Sequence, residues 1–214
     1  MKFFSGLHSL APLHGALVTC RSLEQLVVSH NELRVLPGDV LRAVSGTLRE
    51  LDISFNQVEL LPADIGSCVR LQRLSLRANR LHTLPNEFAQ LSELYFLDLS
   101  DNEFEEWPES LSGHSMRREM QTLLLAFNQI TALPQLMLST LPFLTYLSVR
   151  GNPLSDLWQR LDDPVDLLRH LKTLAEPCRS KEEKEGVYVR VLFLGREAAG
   201  DFFFVFLKKE KNSI

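Results

Sequence analysis

An asparagine recurs six times at a nearly constant interval, and this period constrains the fold more than any other feature of the chain. Consecutive asparagines lie 25, 23, 23, 26 and 24 residues apart, at Asn31, Asn56, Asn79, Asn102, Asn128 and Asn152. Each belongs to the phrase L-x-x-L-x-L-x-x-N-x-L-x-x-L-P, which is almost complete from Leu48 to Pro62 and from Leu71 to Pro85. A repeat of this length predicts a solenoid of stacked units.

The phrase predicts a short strand, a tight turn and a return segment in every unit. Apolar and polar residues alternate at Leu51, Asp52 and Ile53, as in a strand with one buried face. We expect the side chains of Leu48, Leu51, Ile53, Val58 and Leu61 to point into the solenoid. The asparagine amide is expected to satisfy backbone groups that the turn would otherwise leave unpaired. The six asparagines are therefore predicted to be structural and not part of a site.

From Leu23 to about Leu154 the chain resembles the leucine-rich-repeat family. The resemblance implies an α/β solenoid, shaped as a curved horseshoe, with a parallel β-sheet on its concave face. We divide the chain into a partial N-terminal repeat (1–22), six repeats (23–158), a C-terminal capping helix (159–175), a charged linker (176–186) and a strand-and-loop tail (187–214). Residues 1–22 are predicted to be the back half of a repeat, so that the chain would begin inside a longer ancestor. A weak signal peptide is the alternative for that segment.

Composition favours a cytoplasmic protein that binds another protein. The net charge of −4 and the lack of a basic stripe with interleaved aromatic residues argue against nucleic acid as a ligand. Cys20, Cys68 and Cys178 are far apart, and the chain has no N-x-S/T sequon, which is typical of a reducing compartment. No apolar run approaches the ~20 residues that span a bilayer.

The C-terminal tail has a second resemblance. Val187 to Leu194 is predicted to be a buried strand, and Gly195 to Gly200 then follows the G-x-x-x-x-G spacing of a phosphate-binding loop. Repeats, capping helix, linker, strand and loop in this order resemble the Roco family, in which a Ras-like GTPase domain follows the repeats. Asp201 and Phe202 stand where that family needs a lysine and a serine or threonine, so the loop is degenerate. We expect a chain truncated within the GTPase domain; the alternative is a coincidental match.

The outward strand positions form the predicted binding surface. One position holds Gln25, Glu50, Arg73, Phe96, Thr122 and Tyr146; the next holds Val27, Asp52, Ser75, Asp98, Leu124 and Ser148; the third holds Ser29, Ser54, Arg77, Ser100, Ala126 and Arg150. Arginine and exposed aromatic residues anchor protein interfaces. Our predicted partner contacts are therefore Arg73, Arg77, Phe96, Asp98, Tyr146 and Arg150. Charge alternation for solubility is the alternative explanation of the same pattern.

Other chemistry has weak support in the sequence. Asp52 and Asp98 lie two predicted strands apart, about 10 Å, but on an open face without the pocket that a pair of catalytic carboxylates needs. The histidines lack metal-ligand spacing, although His30 and His82 are expected to be exposed. Phe55 and Phe127 are expected to be packing residues.

We therefore expect a non-enzymatic adaptor or scaffold in signal transduction, with no catalytic residue, cofactor or metal. Its protein partner would bind the concave face and could belong to Ras-type signalling. The alternative is a fragment or isoform of a Roco-type GTP-binding protein.

Overall fold

The structure is a computed structural model that describes residues 2–3, 22–112, 119–134, 141, 143–154, 189–193 and 204–208. The predicted capping helix and linker, and both glycines of the degenerate loop (Gly195 and Gly200), lie outside these residues.

Within the described ranges, seven strands form one sheet whose strand order follows the chain. They are β1 (Lys2–Phe3), β2 (Gln25–Val27), β3 (Glu50–Asp52), β4 (Arg73–Ser75), β5 (Phe96–Asp98), β6 (Thr122–Leu124) and β7 (Tyr146–Ser148). Every neighbouring pair is parallel. Consecutive repeats are thus stacked in register, and the predicted solenoid with its parallel β-sheet is confirmed.

The first described residues of the chain, Lys2 and Phe3, form a strand at the edge of the sheet. Lys2 of β1 pairs with Leu26 of β2, an offset in sequence that matches the period of the asparagines. Residues 4–21 lie outside the described residues, so the partial N-terminal repeat proposed for residues 1–22 stays a prediction.

Return segments begin directly after three Leu-Pro pairs and one Trp-Pro pair. Helix α1 (Gly38–Val44) follows Pro37, and 3₁₀ helices at Ala63–Ser67, Asn86–Gln90 and Glu109–Ser112 follow Pro62, Pro85 and Pro108. Proline presets φ near −65° and needs no hydrogen-bond acceptor at the start of a helix. The 25-residue repeat has room for seven helical residues, whereas the two 23-residue repeats hold five each. Length differences between repeats are absorbed by the return segment because strand and turn are common to all.

One continuous core runs through the solenoid from Leu23 to Leu154. The inward positions predicted for the second repeat are all buried, with Leu48, Leu51, Ile53 and Val58 fully inaccessible. On the return side the packing is close: a Cβ at Gly66 would lie 2.5 Å from the carbonyl oxygen of Glu87. Only glycine fits at that position without a shift of backbone.

The asparagines join each repeat to the one before it. Asn56 Nδ2 donates to the carbonyls of Ile53 (2.9 Å) and Ser54 (3.1 Å) in its own turn, and to the carbonyl of Val28 (3.1 Å) in the preceding repeat. Its Oδ1 accepts from the Leu33 N–H at 2.9 Å. Asn79, Asn102, Asn128 and Asn152 repeat this arrangement. The structural role predicted for them is confirmed.

Beyond the repeats, β8 (Val189–Phe193) and β9 (Phe204–Lys208) form an antiparallel pair. Strand β8 lies within the strand predicted from Val187 to Leu194. A phosphate-binding loop, by contrast, leads from its strand into a helix. The antiparallel return of β9 therefore differs from the chain path that the Roco resemblance implies.

Candidate functional site

The sheet register aligns the outward residues as the sequence predicts. Glu50 pairs with Arg73, Arg73 with Phe96, Phe96 with Thr122, and Thr122 with Tyr146. The parallel pairing continues past the strands, where the Phe55 N–H donates to the Arg77 carbonyl at 2.8 Å. Side chains at equivalent positions of neighbouring repeats therefore lie side by side across the sheet.

At the start of the strands, side chains from β2 to β5 form a connected row that we call the strand-start row: Gln25, Glu50, Arg73 and Phe96. Gln25 Nε2 donates to Glu50 Oε2 at 2.8 Å, and Glu50 Oε1 lies 3.9 Å from Arg73 Nε. The Arg73 guanidinium carbon is 4.2 Å from the ring centroid of Phe96 and 6.0 Å from that of Tyr95. A cation–π contact of this kind holds the guanidinium against the ring faces.

A second row crosses the same four repeats where the strands end; we call it the strand-end row: His30, Phe55, Arg77 and Asp101. The rings of His30 and Phe55 are stacked, with centroids 4.3 Å apart and planes 8° from parallel. The Arg77 guanidinium lies 5.7 Å from the Phe55 centroid, and its Nε donates to Asp101 Oδ2 at 2.9 Å. Arg77 is thus held between an aromatic ring and a carboxylate.

Backbone geometry at the turns places three members of the strand-end row. His30, Phe55 and Asp101 have φ of 56°, 55° and 56°, and each directly precedes one of the six recurring asparagines. Residues other than glycine adopt such φ values at a cost of order 1–3 kcal/mol, which the surrounding structure must offset. Here the asparagine hydrogen bonds impose this turn, and the exposed side chains of the row follow from it.

Both arginines keep part of their hydrogen-bonding capacity free. The side chains of Arg73 and Arg77 are 44% and 48% exposed. Within the part of the chain that the structure describes, only the Nε atoms approach a carboxylate, and no acceptor lies within hydrogen-bonding distance of the Nη1 and Nη2 groups. A guanidinium fork that is fixed in orientation and open at its outer edge is suited to accept a carboxylate in two parallel bonds.

Several acidic side chains of the face are instead turned back onto the backbone. Asp52 Oδ1 accepts from the Ser54 N–H at 2.9 Å and from the Ser54 hydroxyl at 2.6 Å. Asp98 Oδ1 accepts from the Ser100 N–H at 2.9 Å, and Asp98 is only 9% exposed. Asp98 therefore differs from the other predicted contacts, because its side chain supports the end of β5 and offers little surface to a partner.

The remaining predicted contacts lie away from the two rows. Tyr146, which is 39% exposed, is on β7, and Arg150 follows that strand. Three strand spacings separate β7 from β4, or about 14 Å. The structure thus brings Arg73 into contact with Phe96 and places Arg77 in the same repeat as Arg73, whereas Tyr146 and Arg150 lie three strands away.

Two phenylalanines expected to be packing residues, Phe55 and Phe127, are 42% and 52% exposed. Both precede an asparagine and have positive φ. Phe55 packs at the surface, where its ring is stacked on that of His30. His30 and His82 are exposed, as predicted. Position relative to the asparagine was the signal available in the sequence for His30 and Phe55; Tyr95, one residue before β5, had no such signal.

Among the described residues, no group of three or more histidine, cysteine, aspartate or glutamate side chains is arranged to hold a metal ion. In the same part of the chain, no helix is long and apolar enough to cross a bilayer. A cleft of about 590 Å³ lies beside Trp107 and is lined in part by Glu103, Glu105 and Glu106.

Comparison with known proteins shows that the repeats are similar to those of leucine-rich-repeat proteins. A family model described as "Leucine rich repeat" matches residues 46–104. The chain is similar to a solved leucine-rich-repeat protein of Leptospira interrogans, with 28% identity, a TM-score of 0.61, and coverage of 72% of this chain and 36% of that one. It is also similar to the leucine-rich-repeat ectodomain of a receptor kinase of Arabidopsis thaliana, with 32% identity, a TM-score of 0.51, and coverage of 60% and 71% respectively.

An internalin of Listeria monocytogenes shares the fold, with 19% identity, a TM-score of 0.58, and coverage of 70% of this chain and 46% of the internalin. The chain thus spans well under two thirds of the length of the Leptospira and Listeria structures. No curated protein sequence matches the chain significantly.

Proposed function

Because the chain belongs to the leucine-rich-repeat family, we propose that it is a non-enzymatic interaction module whose concave sheet binds a protein partner. Solenoids of this type expose one long curved sheet that no other part of the repeat covers. The centre of the binding surface is formed by the strand-start and strand-end rows on β2 to β5. Tyr146 and Arg150 would contact the partner only where it extends toward β7.

The observation that carries this proposal is the state of Arg73 and Arg77. Each is held against an aromatic ring, lies near a carboxylate of a neighbouring repeat, and is about half exposed. Arginine and aromatic residues dominate the binding energy of protein interfaces. Side chains that are already ordered lose less conformational entropy when a partner binds. Surface pairs kept only for solubility would have no need of stacked rings.

The test is a charge reversal with a matched control. The immobilised full chain, its Arg73→Glu/Arg77→Glu variant and an Arg34→Glu/Arg70→Glu variant are exposed to the same cell extract, and retained proteins are quantified by mass spectrometry. Arg34 and Arg70 are exposed and lie outside both rows. Because the control also replaces two arginines by glutamate, it makes the same change in net charge. We expect proteins that the wild type and the control retain to be lost from the Arg73→Glu/Arg77→Glu variant. Equal retention by all three would contradict the concave-face assignment.

A cytoplasmic signalling adaptor is the form of this function that the sequence favours. Three widely separated cysteines and the lack of a glycosylation sequon support a reducing compartment. The matched Arabidopsis structure is an ectodomain, so location needs a test of its own. Protease protection of the tagged chain in permeabilised cells distinguishes the two locations: cleavage after the plasma membrane alone is opened supports the cytoplasm.

A second candidate, a fragment or isoform of a Roco-type GTP-binding protein, is favoured by β8, which ends two residues before Gly195. Asp201 would repel a phosphate, and Phe202 offers magnesium no ligand. This chain itself is therefore not expected to bind nucleotide. Titration with a fluorescent GTP analogue in the presence of magnesium tests the point. We expect no saturable binding by this chain, and saturable binding would contradict the role given to Asp201 and Phe202.

A further inference from the structure

We propose that the partner presents an acidic, extended segment, with two carboxylates that bind the outer edges of Arg73 and Arg77. This inference rests on the proposed function, since it names the chemistry of the partner that the concave face takes. The two arginines are the first and last residues of one five-residue stretch that begins β4 and ends in the turn after it. They are four residues apart, about 13 Å at the rise of a strand.

Charge complementarity selects an acidic partner because the anionic groups of the face are already engaged. Glu50 accepts from Gln25, Asp52 from Ser54, and Asp101 from Arg77. The Nη1 and Nη2 groups of the two arginines, by contrast, donate to no acceptor in the part of the chain that the structure describes. A basic segment would compete with the arginines for Glu50 and Asp101, whereas carboxylates that bind the Nη groups displace none of these internal bonds.

The surroundings of the arginines restrict where the carboxylates can bind. Phe96 and Tyr95 hold the Arg73 guanidinium, and Phe55 holds that of Arg77. These contacts restrict the guanidinium groups but leave their Nη1 and Nη2 groups without an acceptor in the described part of the chain. Planar, bidentate pairing is the geometry in which arginine binds a carboxylate most strongly.

Between the two arginines the surface is small and polar, which leaves room for a peptide backbone. Ser75 lies midway along the stretch, on the same face, and its side chain is partly exposed. An extended segment parallel or antiparallel to β4 has the same rise per residue as β4 itself. Its residues i and i+4 therefore match the spacing of Arg73 and Arg77, and both side chains point to the same side.

The experiment is a selection from a phage-displayed library of random linear 12-residue peptides. It uses the full chain as wild type, Arg73→Glu/Arg77→Glu and Arg34→Glu/Arg70→Glu, each first shown to be folded by circular dichroism. We expect the wild type and the control to enrich peptides with Asp or Glu at positions i and i+4. The Arg73→Glu/Arg77→Glu variant is expected to bind a synthetic copy of the enriched peptide about tenfold more weakly or worse. Changing both acidic residues of that peptide to Asn or Gln is expected to have a similar effect.

The outcomes separate this inference from the proposed function. Neutral or basic peptides that bind the wild type and fail to bind the Arg73→Glu/Arg77→Glu variant would overturn the acidic partner and leave the concave face as the binding surface. Peptides that bind all three proteins equally would overturn both. A selection that enriches no acidic pair at this spacing would also overturn the inference.

Discussion

Replacement of Asn79 by alanine tests the reason why the solenoid holds together at its strand ends. Asn79 is 7% exposed. Its Nδ2 donates to the carbonyls of Ile53 and Leu76, both at 3.0 Å, and of Arg77 at 3.3 Å, while its Oδ1 accepts from the Val58 N–H at 3.0 Å. Alanine removes all four bonds at once. Two of them cross to the preceding repeat, so the change weakens an interface between repeats as well as a turn.

The expected loss is large because the groups left behind are buried. A hydrogen bond contributes about 1 kcal/mol net, and a buried donor left without an acceptor costs about 1–3 kcal/mol. The Val58 N–H becomes such a donor, whereas the carbonyls lose only one of several possible partners. We expect a loss of about 3–5 kcal/mol in the free energy of unfolding. At a urea dependence of about 2 kcal/mol per molar, the unfolding midpoint would fall by roughly 2 M.

Urea unfolding followed by circular dichroism measures this loss, and Asn86→Ala is the matched control. Asn86 is an exposed asparagine of the same repeat, in the return segment, and we expect its replacement to change stability by no more than about 0.5 kcal/mol. Hydrogen exchange of the Val58 amide should become faster in Asn79→Ala and stay unchanged in the control. If the two variants had equal midpoints, the hydrogen bonds of the recurring asparagines would not be a source of stability, and our reasoning would be refuted.

Three further changes test other parts of the structure. Gly66→Ala should cost about 1–3 kcal/mol through its clash with the Glu87 backbone, while Gly46→Ala, which meets no atom within 4 Å, should be neutral; equal melting temperatures would refute the close packing. Burial raises the pKa of the Cys68 thiol from 9.0 to about 11, so the unfolded chain ionises first and stability should fall between pH 9 and pH 11, by about 3 kcal/mol at most. A Cys68→Ala variant should lack this fall, and parallel pH profiles would contradict it. Trp107→Leu should lower the free energy of unfolding by less than about 1 kcal/mol, since it removes a buried indole N–H that has no acceptor. A loss above about 3 kcal/mol in thermal unfolding would show that the ring is needed for packing.

Much of the outward face of the sheet could be predicted because the repeat fixes the alignment of neighbouring strands. Once Leu51 and Leu74 occupy equivalent places, Glu50 must lie beside Arg73, and Arg73 beside Phe96. The contacts within that alignment could not be predicted. Asp98 was expected to face a partner and instead bonds to a backbone amide, because an aspartate two residues before a turn can reach the N–H that the turn leaves free.

The sequence by itself determined the period, the buried positions, the structural role of the asparagines and the order of residues along each row. These follow from local chemistry, since an apolar residue at every fixed step must be buried and a buried amide must be paired. Only the tertiary structure decided which outward residues touch. It stacked His30 on Phe55, brought Arg77 to Asp101 and left the forks of both arginines open. The physical reason is that these contacts join residues more than 20 positions apart. Their rotamers depend on the neighbouring side chains that they meet only when the repeats are stacked.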